Sequence, residues 1–304
     1  MDRILLAGGS GFLGRVLADF YKDKVKEIIV LTRGKSEVRD SVRYVHWDGQ
    51  HIGQWIEWLD GADLLVNFTG KNVNCRYTKQ NKNEIINSRV HATNVLGKAL
   101  MMVKNAPKVW IQCVSATIYR DSRDRDMDEY TGEIGDGFSV SVCKQWEKAF
   151  EQFELKGVRK IALRISFVLG NSGGALPALK NLVRFGLGGR QGDGQQYVSW
   201  IHEKDFARLV DWAYYNEKIS GIYNCTAPNP VTNNFMMTQL RKAMDLPIGL
   251  PAPEYLLNVG AIIIGTETEL VLKSRKVIPA KLLKEGFQFE FCDIESAFTD
   301  LMKG

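Results

Sequence analysis

Short, uninterrupted apolar runs recur along the first 170 residues of the chain, and such runs are typical of strands buried on both faces. Two longer stretches, at about 79–104 and 140–156, predict helices among these runs. Strands that alternate with helices form a parallel sheet with right-handed crossovers. The pattern therefore predicts an α/β fold built on a doubly wound parallel sheet. The predicted strands are 4–7, 27–33, 43–48, 63–70, 108–116 and 159–170.

After residue 170 the pattern changes to a glycine-rich segment, followed by shorter strand and helix signals. A helix is predicted from about residue 233 to 244, and residues 277–302 predict a helix, a strand and a second helix. We expect these residues to form a smaller α+β lobe. The expected division is a first domain of residues 1–170, completed by about 197–228, and a C-terminal lobe of residues 171–196 and 229–304.

Three glycines, Gly8, Gly11 and Gly14, lie between the first predicted strand and an amphipathic run. A glycine-rich turn of this kind leaves backbone N–H groups free at a helix N-terminus, where the helix dipole favours an anion. A tight turn that needs positive φ would require the same residues. In a doubly wound sheet, however, ligands bind beyond the C-terminal strand ends. The position of the turn therefore favours phosphate binding.

The composition and charge of the chain limit the kinds of ligand and the location that we expect for the protein. Among the 304 residues, 45% are hydrophobic and 25% are charged, and the formal net charge is +5 without a dense Lys/Arg run. This balance argues against nucleic-acid binding and suits small anionic ligands. The first residues predict a strand rather than a targeting leader, and the longest apolar run, Val259–Gly265, is too short to cross a bilayer. We expect a cytoplasmic protein with no membrane partner.

The metal-binding and redox-active residue types are dispersed. The five cysteines form no CxxC pair, and the four histidines never fall at metal-ligand spacing. We therefore expect reduced thiols and no metal site.

The stretches "GGSGFLG", "NFTG", "VSATIY", "LRISFVLG" and "WIHEKDFA" follow one another as they do in extended short-chain dehydrogenase/reductases. More narrowly, "INSR", "WE", "GGAL", "GLGG" with "SWIH", and "VIPAKLLKEGFQF" resemble the atypical branch called epimerase family proteins, which are NADP-binding relatives of nucleotide-sugar epimerases. The resemblance covers nearly the whole chain. It implies a Rossmann-type dinucleotide-binding domain and a substrate-binding lobe.

The residues that close the second strand indicate which dinucleotide is preferred. An acidic side chain there bonds a ribose 2′-hydroxyl, whereas an arginine pairs with a 2′-phosphate. The strand ends in Thr32 and Arg33, so we expect NADP(H) over NAD(H), unless Arg33 is only a solvated cation. The resemblance extends the expected cofactor-binding set to Gly8, Ser10, Gly11, Phe12, Leu13, Gly14, Thr32, Arg33, Asp48, Phe68, Thr69, Gly70, Glu84, Arg89, Ser115 and Ser166.

The resemblance also implies a catalytic Ser, Tyr and Lys, of which only Ser115 is present. Relatives place the Tyr-x-x-x-Lys pair eight and four residues before a helix glutamate, here Glu147. Counting back gives Ser139 and Cys143, which lack a phenol and a positive charge. Lys144 is one residue off, about 100° around the helix. Tyr119 and the Cys143 thiol remain as candidate catalytic groups beside Ser115.

Two functions stay open. The chain is either an oxidoreductase or epimerase-like enzyme for an unidentified small carbonyl or sugar-type substrate, or a catalytically silent NADP(H)-binding module that reports redox state. We expect a monomer or a homodimer. On the substrate side, Arg190 is either an anion ligand or a solvated loop arginine. Trp200 and His202 are either functional groups or a packing residue and a helix cap. Trp146 and Phe150 are expected in the core.

Overall fold

The computed structural model describes residues 1–257 and 267–303, which leaves the apolar run Val259–Gly265 outside the described residues. Its strands are β1 (Arg3–Ala7), β2 (Glu27–Thr32), β3 (Glu37–Arg39), β4 (Val42–His46), β5 (Leu64–Asn67), β6 (Val109–Ser115), β7 (Arg159–Ile165), β8 (Phe167–Gly170), β9 (Gly173–Gly174), β10 (Tyr197–Val198), β11 (Trp200–His202), β12 (Gly221–Cys225) and β13 (Val231–Thr232).

The α-helices include α1 (Phe12–Tyr21), α2 (Ile56–Leu59), α3 (Lys79–Met102), α4 (Gly137–Glu151), α5 (Leu176–Arg184), α6 (Glu203–Tyr215), α7 (Asn233–Ala243), α8 (Glu269–Leu272), α9 (Ala280–Lys284) and α10 (Ile294–Lys303). A 3₁₀ turn (Ala116–Ile118) follows β6. Within the described ranges, no helix is both long and apolar enough to span a bilayer.

Eight strands form the central sheet in the order β12-β7-β6-β5-β1-β2-β4-β3. All neighbours pair in parallel except β3, which runs antiparallel to β4. The strand order reverses at β1, which lies between β2 and β5. The predicted α/β class and doubly wound sheet are confirmed. A crevice beyond β1 is where such sheets bind ligands.

The apolar strands are buried on both faces because a helical layer covers each side of the sheet. Alternate residues of β1 illustrate the division. Ile4 and Leu6 pack in one cluster with residues of α1 and α6. Leu5 and Ala7 pack in a second cluster with residues of α3 and α4. All four residues are fully buried. The apolar run is continuous because its alternate residues belong to two different cores.

A third apolar cluster lies outside the large sheet and joins residues of α5, α7 and α10 around Trp200, Met237 and Phe298. Two small sheets accompany it, β10-β13 and β11-β8-β9. This separate core supports the division that we propose between a sheet domain and a smaller lobe.

The predicted strand 159–170 is two strands. The first, β7, belongs to the central sheet, and the second, β8, pairs with β11 and β9 in a small sheet. Between them, Ser166 donates its backbone N–H (3.2 Å) and its hydroxyl (3.1 Å) to the carbonyl of Cys225. These two hydrogen bonds fix Ser166 to the end of β12. Ser166 lies at the point where the chain leaves the central sheet and enters the small one.

The prediction of a strand near the C-terminus is wrong, because residues 285–293 form no strand. The backbone N–H groups of Glu290 (3.0 Å) and Phe291 (2.9 Å) donate instead to the buried carboxylate of Asp205. Phe287 and Phe291 are buried as an alternating pattern requires. The segment thus buries its aromatic side chains and pairs some of its backbone N–H groups without a partner strand.

Candidate functional site

The three glycines of the first turn meet three different constraints. Gly8 has a φ of +71°, and a Cβ there would lie 2.9 Å from the Thr69 side chain. A Cβ on Gly14 would lie 2.0 Å from the Gly9 carbonyl oxygen, so the start of α1 packs directly on the turn. A Cβ on Gly11 would meet no atom of the described residues within 4 Å. The space beside Gly11 is therefore open, and a side chain would fill it.

This open space lies at the N-terminus of α1. Gly11 is the N-cap residue, and in the part of the chain that the structure describes no side chain caps the helix. Ser10 and Gly11 are exposed, while Phe12 and Leu13 are half-buried. Free N–H groups at the N-terminus of a ten-residue helix, next to a cradle without side chains, fit the pyrophosphate of a dinucleotide.

The other expected site residues follow the C-terminal ends of neighbouring strands. Because β4, β2, β1, β5, β6 and β7 are parallel neighbours, these ends share one edge of the sheet. From β2 to β6 there are three strand spacings, about 14 Å in total. In sheet order, the edge carries Asp48 after β4, Arg33 after β2, the glycine turn after β1, Phe68–Gly70 after β5, Ser115 at the end of β6 and Ser166 after β7.

Arg33 is exposed, and no hydrogen bond or ion pair to its side chain occurs within the described residues. Thr32 supports the same turn, because its hydroxyl accepts the Gly34 N–H (3.2 Å) and its carbonyl accepts the Trp47 N–H (2.8 Å). The guanidinium of Arg33 is thus exposed at the end of β2 and has no partner among the described residues.

The carboxylate of Asp48 stabilises the loop that follows it. Its carboxylate accepts the N–H groups of Gln50 (2.8 Å) and His51 (2.9 Å) and contacts the His51 ring (2.6 Å). The interaction with the His51 ring is the main cause that lowers the pKa of Asp48 to about 2.

The loop after β5 packs against α3 through Arg89. A Cβ on Gly70 would lie 2.8 Å from the guanidinium carbon of Arg89. This guanidinium donates to the carbonyls of Lys71 and Ile85, both at 3.0 Å. Burial lowers the pKa of Arg89. No carboxylate bonds it within the described residues, since the nearby Glu84 pairs with Lys71.

A chain of small polar groups links β6 to α4. The Ser115 hydroxyl lies 2.9 Å from the Thr117 hydroxyl, which in turn lies 3.4 Å from the sulfur of Cys143. Burial raises the pKa of the Cys143 thiol. Two of the candidate catalytic residues, Ser115 and Cys143, therefore face the same space. Lys144 is exposed and lies 3.3 Å from the Gly135 carbonyl, away from this space.

Tyr119 occupies a different environment. Only 1% of its surface is exposed, and its hydroxyl contacts the Asp128 carbonyl (3.0 Å), Asn224 Oδ1 (3.0 Å) and a guanidinium nitrogen of Arg164 (2.9 Å). Burial raises its pKa. The phenol is fully engaged inside the core, and this geometry argues against its expected part in proton transfer.

A second tyrosine, which the sequence analysis missed, lies beside α4. Tyr77 is half-buried, and its ring packs edge-on against Phe138 of α4, with centroids 4.8 Å apart, next to Ser139, the residue in the place of the missing tyrosine. Burial is the largest cause that raises the pKa of Tyr77, and the charges of Glu269 and Glu267 add to it. Its position in a polar loop, far from "VSATIY" in sequence, gave no signal.

The residues expected on the substrate side differ in their burial and in their contacts. His202 caps α6, where its Nδ1 accepts the Lys204 N–H (3.0 Å), and stacks on Phe291 at 3.9 Å. Trp200 is fully buried and donates to the Asn229 carbonyl (3.1 Å). Arg190 is exposed. The "GGAL" glycines lie against Phe12, the first residue of α1: a Cβ on Gly173 would meet its ring at 2.7 Å.

Residues 4–226 match the family model described as the NAD dependent epimerase/dehydratase family. The chain belongs to this family. Residues 252–301 match a second model, a domain of unknown function called DUF1731. The first match contains the glycine turn, the C-terminal strand ends and α4.

Curated relatives within the family have the same length. The chain is 31% identical to the epimerase family protein YfhF of Bacillus subtilis, over 98% of this chain and 97% of that protein. It is 31% identical to the epimerase family protein MW0731 of Staphylococcus aureus, over the full length of both.

Solved structures of family proteins agree with the fold. The human epimerase family protein SDR39U1, crystallised with NADPH, superposes with a TM-score of 0.88 at 27% identity, covering 99% of each chain. A nucleoside-diphosphate sugar epimerase from Corynebacterium glutamicum gives a TM-score of 0.77 at 29% identity, covering 99% of this chain and 58% of that chain. The chain is therefore an epimerase family protein over its whole length.

Proposed function

We propose that the protein binds NADP(H) along the C-terminal edge of its sheet. The observation that carries this proposal is the space beside Gly11, which is open and adjoins the uncapped N-terminus of α1. Gly8 and Gly14 hold the turn in the shape that creates this space. The human relative crystallised with NADPH supports the same cofactor class.

Preference for the phosphorylated dinucleotide rests on Arg33. Its guanidinium is exposed and unpaired within the described residues, at the strand end where a ribose 2′-phosphate would lie. No acidic residue follows before Glu37, so a free 2′-hydroxyl has no carboxylate partner there. An arginine binds a phosphate through two charge-assisted bonds, which favours NADP(H) over NAD(H).

We further propose that the protein is an oxidoreductase or epimerase-like enzyme acting on a small carbonyl or sugar-type substrate. A bound nicotinamide supplies or accepts hydride at the substrate carbon. Ser115 lies at the end of β6, where its hydroxyl can bond the substrate oxygen. Thr117 orients this hydroxyl at 2.9 Å. Glu84 on α3 pairs with Lys71 in the loop that follows β5.

A second function, a catalytically silent redox-sensing module, is favoured by one observation. The face of α4 that carries the Tyr-Lys pair in relatives carries Ser139 and Cys143, and the thiol of Cys143 is buried with a raised pKa. In that case, binding of NADP(H) changes the surface that the protein presents to a partner, and no substrate is converted.

Two measurements test the proposal. Calorimetry with NADPH and NADH is expected to show NADPH binding at least tenfold tighter, about 1.4 kcal/mol. Mass spectrometry of small molecules that copurify with the protein, followed by NADPH oxidation assays with each, separates the enzyme from the sensor. Absence of NADPH binding would overturn the proposal. Binding without turnover of any copurifying molecule would favour the sensing module.

A further inference from the structure

We infer that Arg275 binds an acidic group of the substrate, a carboxylate or a phosphate, beside the face of α4 that carries Cys143. The inference rests on the proposed function, because it narrows the substrate class for the same site. Arg275 lies in the segment between α8 and α9, within the residues 252–301 that match the domain of unknown function. It is not among the site residues expected from the sequence.

The segment that carries Arg275 lies between two other parts of the chain and forms an isolated β-bridge at Met127. On one side, the backbone N–H of Arg275 donates to the Tyr197 carbonyl (2.8 Å), and its carbonyl accepts the Ser199 hydroxyl (2.7 Å). On the other side, the carbonyl of Lys276 accepts the Met127 N–H (2.7 Å). Successive residues thus bond to opposite neighbours, as in a strand, so alternate side chains share a face.

The face shared by Lys273, Arg275 and Val277 is turned toward α4. Nζ of Lys273 lies 4.0 Å from the position of a Cβ on Gly137, the first residue of α4. Val277 is fully buried and packs in one cluster with Cys143. Arg275 lies between these two contacts, so its side chain faces the first two turns of α4. Cys143 is also one of the groups that raise the pKa of Arg275, as expected for neighbours.

The guanidinium of Arg275 has few partners for a half-buried cation. Its Nε is buried and bonds no other atom of the described residues, and a terminal nitrogen donates to the Ser274 carbonyl at 3.2 Å. The carboxylates of Asp121 and Glu269 act on its charge from a distance. Asp121 accepts the Ser274 N–H (3.0 Å) instead, and Glu269 pairs with Lys273 (2.8 Å). A buried donor left unpaired is costly, so this site favours a ligand that accepts hydrogen bonds.

Two other arginines that contact α4 are bonded more fully. Arg164 binds both carboxylate oxygens of Glu147 at 2.8 Å. Arg89 donates to two backbone carbonyls, both at 3.0 Å. Arg275 bonds a single carbonyl within the described ranges, which leaves most of its donors for a ligand.

An acidic group on the substrate would satisfy this guanidinium. Arginine binds carboxylates and phosphates through two parallel charge-assisted hydrogen bonds, and Nε with one terminal nitrogen forms such a pair. The proposed position of the substrate oxygen is Ser115, which is linked through Thr117 to Cys143 by contacts of 2.9 and 3.4 Å. Arg275 approaches the same helix from the smaller lobe. The substrate is therefore a small carbonyl or sugar-type compound whose acidic group lies at Arg275 while its carbonyl lies at Ser115.

The test uses two pairs of probes that differ in one acidic group: dihydroxyacetone phosphate with dihydroxyacetone, and pyruvate with acetone. Each probe is titrated into protein saturated with NADP⁺, so that the ketone is not reduced. The ¹⁵N NMR resonance of the Arg275 Nε–H, identified by its absence from Arg275→Lys, reports binding. We expect at least one acidic probe to shift this resonance and to bind about tenfold tighter than its neutral counterpart, as for a hydrogen bond to a charged group. The pair that responds distinguishes a phosphate from a carboxylate.

Arg275→Gln should weaken binding of that acidic probe by about tenfold. Arg184→Gln, which removes an exposed arginine of α5, is the matched control and should leave probe binding unchanged. NADPH affinity should be the same in both variants. The resonance titration uses the unmodified protein, so it remains decisive if Arg275→Gln does not fold.

An Arg275 resonance that no acidic probe shifts, or equal binding of acidic and neutral probes, would overturn the inference while NADPH binding persists. Equal losses of probe affinity in Arg275→Gln and Arg184→Gln would also overturn it, because the effect would then come from overall charge. Absence of NADPH binding by the unmodified protein would instead overturn the proposed function.

Discussion

At the scale of single residues, the glycine turn shows how one motif combines separate physical demands. Gly8 needs a positive φ, Gly14 needs the absence of a Cβ next to a carbonyl, and Gly11 needs neither for folding. Glycine is a favoured N-cap residue, and a ligand that fills the open space would add a second reason for glycine at position 11. The spacing of the three residues predicted this turn, but the sequence alone could not separate their roles.

Arg33→Asp tests the choice of dinucleotide. Removing the exposed guanidinium and adding a carboxylate should weaken NADPH binding by roughly 1.5–3 kcal/mol, the range for a hydrogen bond to a charged group. NADH binding should change little or improve. Calorimetry with both dinucleotides measures the effect.

Lys156→Asp is the matched control, because it makes the same charge change on an exposed residue before β7, at the opposite edge of the sheet. If both variants lose NADPH affinity equally, Arg33 acts only through the overall charge of the protein.

His202→Asn tests a structural assignment through pH. Burial lowers the pKa of His202 to about 4, against about 6.5 in an unfolded chain. The neighbouring Asp300 opposes this effect, and Lys204 adds to it. Between these pH values the unfolded chain binds a proton that the folded protein does not, so stability falls as pH drops from 6.5 to 4.

The expected loss for the unmodified protein is roughly 2–3 kcal/mol between pH 7 and 4.5. His202→Asn keeps a capping acceptor and should lack this contribution when urea unfolding is measured at both pH values. His91→Asn, at an exposed position on α3, should leave the pH dependence unchanged. Equal pH dependence in all three proteins would show that His202 titrates normally.

The residues that sequence reasoning misjudged were titratable or aromatic groups whose partners come from distant segments. Tyr119 looked available, yet its hydroxyl meets Arg164 and Asn224, which lie 45 and 105 residues away. Tyr77 drew no expectation from the sequence, yet its ring packs against Phe138 of α4. Composition and spacing cannot show such contacts, because they depend on how strands cross in space.

At the scale of elements, α4 is fixed to the sheet by a buried ion pair. Arg164 on β7 binds both carboxylate oxygens of Glu147 at 2.8 Å, and it also donates to the hydroxyl of Tyr119. Less than a tenth of either charged side chain is exposed. The pair therefore sets the position of the α4 face that carries Ser139 and Cys143.

Glu147→Leu should destabilise the protein by about 3–5 kcal/mol, because it leaves a buried guanidinium without its partner. The double variant Glu147→Leu with Arg164→Met should recover much of this loss, since no charge stays buried. Urea unfolding measures both. A double variant as unstable as the single one would show that packing, rather than the unpaired charge, controls the effect.

Long helices were predicted within a few residues, as for α3 at Lys79–Met102. The edge strand β3 was not, because all its residues are exposed and carry no apolar pattern. Its hairpin to β4 depends on two positive φ angles, 49° at Asp40 and 64° at Ser41. Such a turn favours the pairing locally, without a hydrophobic signal.

At the scale of the whole molecule, the fold brings groups from six parallel strands to one edge and places the glycines of "GGAL" against Phe12 of α1. With Ser139 and Cys143 in place of the usual pair, we expect reduction of generic ketones and 4-epimerisation of common nucleotide sugars to stay near background. Steady-state NADPH oxidation with a ketone panel and sugar analysis of the products check this. Rapid turnover of such substrates would contradict it.

The central claim is that the open space beside Gly11 holds the pyrophosphate of NADP(H). Calorimetric titration of NADPH into Gly11→Val tests it most directly, because the free protein has room for the new side chain. The account predicts a folded variant whose unfolding free energy stays within about 0.5 kcal/mol, and whose NADPH affinity falls on the order of a hundredfold, about 3 kcal/mol. A folded Gly11→Val protein that binds NADPH as tightly as the unmodified chain would contradict it.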